Sequence, residues 1–316
     1  MFRILSVVFV TGLVSIANAQ LCTKWSAPQK LGLLDTKMLK EVSGLTVSKQ
    51  FPDRIYHHND SKDLGAFYIT DLLGGHTQEV LFTSEKVVDI EDVSMGPCDV
   101  GQCLFLGDIG DNKKNRKTLD LWILPETETF QDIAATAKKV TFQYPDGPHN
   151  AESMAVHPKT GDVYILTKEA DEEGERRSYA GKLYRLSRSA FGLKDSTLQF
   201  VGTIDLPWLN YNYGLFGGMA TGMDISPDGQ NLLIASYENF MEISMNKIMN
   251  EVPNSRSWKR NQDYRVIDLR DFLSQLEAVG YSPDGNSFYF ESEFNPEDGG
   301  DKESPLFRMD CLERKP

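Results

Sequence analysis

Histidine is scarce here, with 5 residues in 316, and only His57 and His58 are adjacent. In a strand, neighbours point to opposite faces, so at most one of that pair reaches any one site, which argues against zinc. The chain has no Gly-x-Ser-x-Gly elbow, no paired-histidine zinc helix and no Gly-rich Lys loop to cradle phosphate. The usual signatures of serine hydrolases, zinc proteases and nucleotide triphosphatases are therefore missing. Positive charge is also in deficit. Lys and Arg number 33 against 46 Asp and Glu, for a net charge of −13. Such a field repels phosphate backbones and anionic membranes and attracts cations, so nucleic acid is a poor partner.

Long apolar runs are confined to the first residues, where Arg3 precedes a largely apolar stretch from Ile4 to Ile16 and Ala17-Asn18-Ala19 follows. This is the pattern of a secretory signal, with cleavage expected after Ala19. Residues 20–316 then form one domain, with no membrane span expected. The destination is secreted or extracellular, or periplasmic in a Gram-negative bacterium. Four cysteines suit that setting and suggest two disulfides. Cys98 and Cys103 lie close enough to clip one hairpin, leaving Cys22 and Cys311 to join the chain ends; other pairings are open at this level.

Long helical periods are absent too, and short β-rich runs recur between Gly, Pro and Asp clusters. Five segments align: Ser43–Val47, Glu91–Met95, Glu152–Val156, Thr221–Ile225 and Glu277–Tyr281. Each begins small or polar and is then apolar at alternate positions. Each is followed by a turn such as Ser226-Pro227-Asp228-Gly229, and then by a second strand: Ile55–His58, Leu104–Leu106, Val163–Leu166, Leu232–Ala235 and Phe288–Phe290. Third and fourth strands follow in four units, and the fifth runs out of chain before its fourth. The expected fold is all-β, a five-bladed β-propeller of four-stranded antiparallel blades closed by the N-terminal segment Ala27–Leu34. Six blades, one degenerate, is the alternative. A Cys22–Cys311 bond would lock the five-bladed ring.

At Ser43-Gly44-Leu45, His58-Asn59-Asp60-Ser61, Asp89-Ile90-Glu91-Asp92, Gly107-Asp108-Ile109-Gly110-Asp111-Asn112 and Thr221–Gly229 the chain resembles a widespread family of secreted β-propeller proteins. Ile90 departs from the Trp that relatives often carry. The resemblance spans most of the chain after Ala19 and implies the fold rather than a chemistry. More distantly the chain is similar to calcium-dependent gluconolactonase-type and phytase-like propellers, a likeness of fold.

In a propeller, first strands begin and second strands end on one face near the axis. The first ring is Ser43, Glu91, Glu152, Thr221 and Glu277, with Glu41, Asp89 and Asn150 two residues earlier; the second is Asp60, Asp108, Lys168, Tyr237 and Glu293, with Asn59, Asp111, Asn112, Glu169 and Glu238 nearby. Three glutamates ~8 Å apart repel by about 2 kcal/mol per pair at an effective dielectric of about 20. Calcium, which takes six to eight oxygens in flexible geometry, is the expected counter-ion. Its expected ligands are Glu152, Glu91, Asn59, Asp108 and Glu277. Asp111 and Asn112 are expected to cap their own turn. Tyr211, Tyr213 and Phe216 either form an aromatic lip over the channel or fill the inter-blade core. Two functions follow. The first is a cation-dependent hydrolase of a small ester, lactone or phosphoester, with Glu152 or Asp108 as base and Lys168 steadying developing negative charge. The second is a non-catalytic propeller binding an extracellular partner or a calcium-rich matrix. Either is expected to be a monomer.

Overall fold

The structure is a computed structural model that describes residues 21–60, 65–133, 137–168, 180–194, 196–206, 218–251, 258–269, 272–273, 275–293 and 303–314. The leader segment, Glu169 and the aromatic stretch Tyr211–Phe216 lie outside the described residues. Five antiparallel sheets follow one another along the chain as the five blades of a propeller. Their first strands are Val42–Val47, Ile90–Cys98, Ala151–Val156, Ala220–Ile225 and Leu276–Tyr281. These pack side by side around a central axis, each against the next and the fifth against the first. Strands two, three and four then step outward antiparallel, in chain order in the first four blades.

The last blade is completed from the other end of the chain. Cys22–Trp25 and Gln29–Leu33 both pair antiparallel with Pro305–Arg314. The closing segment therefore begins earlier than Ala27 and is broken in two. Cys22 bonds Cys311 across this pairing, and Cys98 bonds Cys103 across the turn of the second blade's first hairpin.

Nearly every strand residue near the axis is buried, whichever side it faces. Each blade is covered on both faces, so both sets of alternate side chains need apolar neighbours. On Gly101–Asp108, Leu104 and Leu106 face the first blade beside Tyr56 and Phe82. Phe105, between them, faces the third beside Met154 and Ile165. Comparable clusters fill the remaining seams, including the one between the fifth and first blades, where Leu45 and Tyr68 meet Tyr289 and Leu306.

Ringed strands leave an edge of unpaired main-chain groups facing the axis, and these need partners. Buried Asp92 supplies several: Oδ1 accepts from Val93 N–H at 2.8 Å, and Oδ2 accepts from Met154 N–H at 2.8 Å and Met223 N–H at 3.3 Å. Asp224 does the same for Ile225 and Tyr281, each at 2.8 Å. Ser94 Oγ accepts from Val156 N–H at 3.0 Å. The small residues between them permit close approach. A Cβ on Gly222 would stand 2.9 Å from the carbonyl oxygen of Glu277 in the next blade.

Candidate functional site

Strand alternation alone would bury the leading ring residues in the wrong place. Glu91, Val93 and Met95 share a parity, and Val93 and Met95 lie in the apolar seam with the first blade. The backbone avoids burying Glu91 there by a β-bulge. Pairing runs Ile90 to Asp108 and then Asp92 to Gly107, so Glu91 has no opposite number. The same slip recurs in every blade, passing over Ser43, Glu152, Thr221 and Glu277. A bulge bends its strand and re-aims the extra residue. Five bulges in equivalent positions turn the first ring toward the mouth of the channel.

The second ring is fixed by hydrogen bonds just beyond the second strands. Asp60 N–H donates to Glu41 O at 2.7 Å, Lys168 N–H to Asn150 O at 2.9 Å, and Glu293 N–H to Gln275 O at 3.0 Å. These bonds carry each hairpin one step past its strand and set the three side chains at the mouth.

One oxygen each of Asp60, Asp89 and Glu91 lies within 4.8 Å of the others. Glu91 is 3 % exposed, and among the described residues no group donates a hydrogen bond to its carboxylate. Burial raises its pKa well above the usual carboxylate range, with Glu152 and Asp60 adding to the effect. Asp89 is pushed up to about 6, mainly by burial and then by Asp60, with Arg116 opposing. Glycine at 110 is what makes room for the trio: a Cβ there would fall 2.2 Å from Glu91 Oε1 and 2.4 Å from Asp89 Oδ2.

Across the mouth, Lys168 is ion-paired to Glu152 and donates to the Tyr237 hydroxyl at 2.5 Å. Burial works against the Lys168 charge, but Glu152 and Glu277 more than offset it, and its pKa is raised. Burial raises the Glu152 pKa, against the pull of Lys168. Glu277 is raised well above its usual value by burial, and Glu293 to about 7 by burial and then Asp60.

Glu91, Glu152, Glu277 and Lys168 thus act on one another at the channel mouth. Asp108 and Asn59 are placed differently. Asp108 is 1 % exposed; its Oδ2 accepts from Val88 N–H at 3.0 Å, and its Oδ1 accepts from Asp89 N–H at 3.0 Å and meets Arg116 Nη2 at 2.8 Å. Both oxygens are engaged in anchoring the Asp89 segment and Arg116. Asn59 donates from Nδ2 to Met38 O at 2.8 Å and accepts from Glu41 N–H at 3.4 Å, which ties it to the loop before the first blade. Asp111 caps its own loop, accepting from Arg116 N–H at 2.7 Å, while Asn112 accepts from Asn150 Nδ2 at 3.1 Å. His57 and His58 do face apart. His57 is buried between Glu291 Oε1 at 3.0 Å and Thr70 Oγ1 at 2.8 Å, whereas His58 turns toward Gly44 and Asp92, its pKa lowered by burial to about 4.

Asp60 and Asp89 stand among the ring positions in the sequence, yet Asn59 and Asp108 are the residues it favours as ligands. Strand pairing corrects the second ring: Asp108 lies opposite Ile90 as Asn59 lies opposite Val42, so the residue in register with Asp60, Lys168 and Glu293 is Ile109 and not Asp108. Nothing in the sequence pairs Asp108 with Arg116.

These features define a disulfide-closed five-bladed β-propeller with an acidic mouth around a half-buried lysine. The chain matches no protein-family model and no curated protein. Among solved structures it is similar to a luciferin-regenerating enzyme, with 11 % identity over 91 % of this chain and 96 % of that one and a TM-score of 0.47. It is also similar to the PQQ-bound aldose sugar dehydrogenase of Streptomyces coelicolor, with 12 % identity over 92 % and 99 % and a TM-score of 0.45. A nidogen/laminin complex shows 12 % identity over 80 % and 72 %, with a TM-score of 0.45. At that distance none of these bears on chemistry.

Proposed function

We propose that the channel mouth is a divalent-cation site and that the protein hydrolyses a small ester or lactone there. Asp60, Asp89 and Glu91 are the proposed ligands. The observation that carries this is the drawing together of three carboxylates within 4.8 Å, one of them buried and accepting no hydrogen bond from the described residues. Oxygen ligands of mixed exposure suit calcium better than softer ions. A cation bound there would polarise a carbonyl placed over it.

This chain's own residues supply the rest. Glu152 stands beside the trio, and its raised pKa makes it a better base than an ordinary glutamate for taking the proton of an attacking water. Lys168, held by Glu152 and Tyr237, is the charge that steadies the tetrahedral oxyanion. Phosphoesters fit worst, because the surrounding carboxylates repel anions.

The test measures melting temperature and turnover of activated esters and lactones, with calcium and with EDTA. The expected result is stabilisation by calcium and turnover that disappears with chelator and in Glu152→Gln. Calcium binding without turnover would favour the non-catalytic extracellular binding protein. No effect of calcium on melting would remove the cation site.

A further inference from the structure

With Asp60, Asp89 and Glu91 assigned to a cation and Lys168 paired to Glu152, the fifth-blade side of the mouth still holds Glu277 and Glu293. Glu277 is 6 % exposed, and no described residue donates a hydrogen bond to it. The described charges that act on it most strongly are Lys168, Glu152, Glu293 and Asp60, of which only the first is positive. Glu293, nearer the rim, receives one neutral donor, Gln275 Nε2 at 2.9 Å on Oε2. Among the described residues, this side of the mouth is short of positive charge even after the rest has been balanced.

A second divalent ion fits it poorly. Among the described residues the only group of three or more ligating side chains drawn together is Asp60, Asp89 and Glu91. Two carboxylates fall well short of the six to eight oxygens such an ion takes. A primary ammonium group has three N–H donors and is satisfied by two carboxylates and a water.

We propose that the pocket selects ligands carrying an ammonium group, seated between Glu277 and Glu293, which turns an attached ester or lactone carbonyl toward the trio. The carbonyl part rests on the reading given under Proposed function; the ammonium part rests on Glu277 and Glu293 alone.

The experiment compares γ-butyrolactone, α-amino-γ-butyrolactone and its N-acetyl form by calorimetric titration, with 1,4-diaminobutane as an ammonium probe lacking a carbonyl. Each is titrated in calcium and in EDTA, and calcium alone is titrated separately. The amino lactone is expected to bind at least about tenfold more tightly than the two neutral lactones, and the diamine is expected to bind as well. In Glu293→Gln, and in Glu277→Gln checked for an unchanged melting curve, the preference is expected to fall below about threefold. Equal binding of the three lactones, no binding of either ammonium probe, or a preference that persists in both variants would overturn the proposal. If calcium fails to bind while the ammonium preference holds in EDTA, the metal reading falls and this one stands.

Discussion

Several carboxylates of the mouth are held where burial favours the protonated form over the charged one. Burial raises Asp89 to about 6 and Glu293 to about 7, and it lifts Glu91 and Glu277 as well. For an acid raised in the folded state, stability is fully present below its unfolded pKa near 4 and is lost as pH rises through the folded value. The cation-free protein is therefore expected to melt at progressively lower temperature from about pH 4.5 to pH 7.5. Calcium should tighten over the same window, because it displaces protons, and should flatten the decline. Melting curves across that range in EDTA and in calcium check this. A cation-free protein whose melting temperature rises toward neutral pH would contradict the electrostatics described here. That acids crowd this face was legible from the blade alignment. How far each is buried was not, because burial is set by side chains from other blades.

At the scale of the element, the bulge and the Gly107–Asn112 turn decide what the mouth can do. Asp108 and Arg116 pin the turn: Asp108 holds the backbone of Val88 and Asp89, and Arg116 Nη1 donates to Gly110 O at 2.7 Å. Gly110 then lies close against the carboxylates of Asp89 and Glu91. Gly110→Ala is expected to weaken calcium binding by about 10- to 100-fold with little loss of fold, since the added methyl group would displace the carboxylates of Asp89 and Glu91. Calorimetric titration with calcium and a far-ultraviolet melt separate the two effects. Unchanged affinity would move the cation away from Asp89 and Glu91. The strands themselves, their turns and their order were readable from apolar spacing and Pro-Asp-Gly punctuation. The bulges were not, because a bulge is a property of pairing between strands and leaves no consistent mark on one strand: the bulged residues are Ser, Glu, Glu, Thr and Glu.

At the scale of the whole molecule, the ring is closed by strand pairing and by a covalent bond. The Cys22–Cys311 link encloses a sequence separation of 289, against 5 for Cys98–Cys103. By loop entropy the long link contributes about 5–6 kcal/mol and the short one about 2 kcal/mol, both upper figures. Replacing Cys22 and Cys311 by serine is thus expected to cost about 3 kcal/mol more than replacing Cys98 and Cys103, measured by urea unfolding of the two double variants. Equal losses would mean that strand pairing, rather than the link, keeps the last blade closed. Among the described residues no helix is long and apolar enough to cross a membrane.

From its repeats alone the sequence determines the propeller, its closure from both ends and the acid-rich face, because a two-residue period, turn chemistry and self-similarity are local properties that survive in one dimension. Which acids meet was decided only by the tertiary structure. Asp60, Asp89 and Glu91 come from two blades, Asp108 finds Arg116 across a loop, and Glu152 finds Lys168 across a hairpin; a carboxylate's role depends on the donor that reaches it first in space.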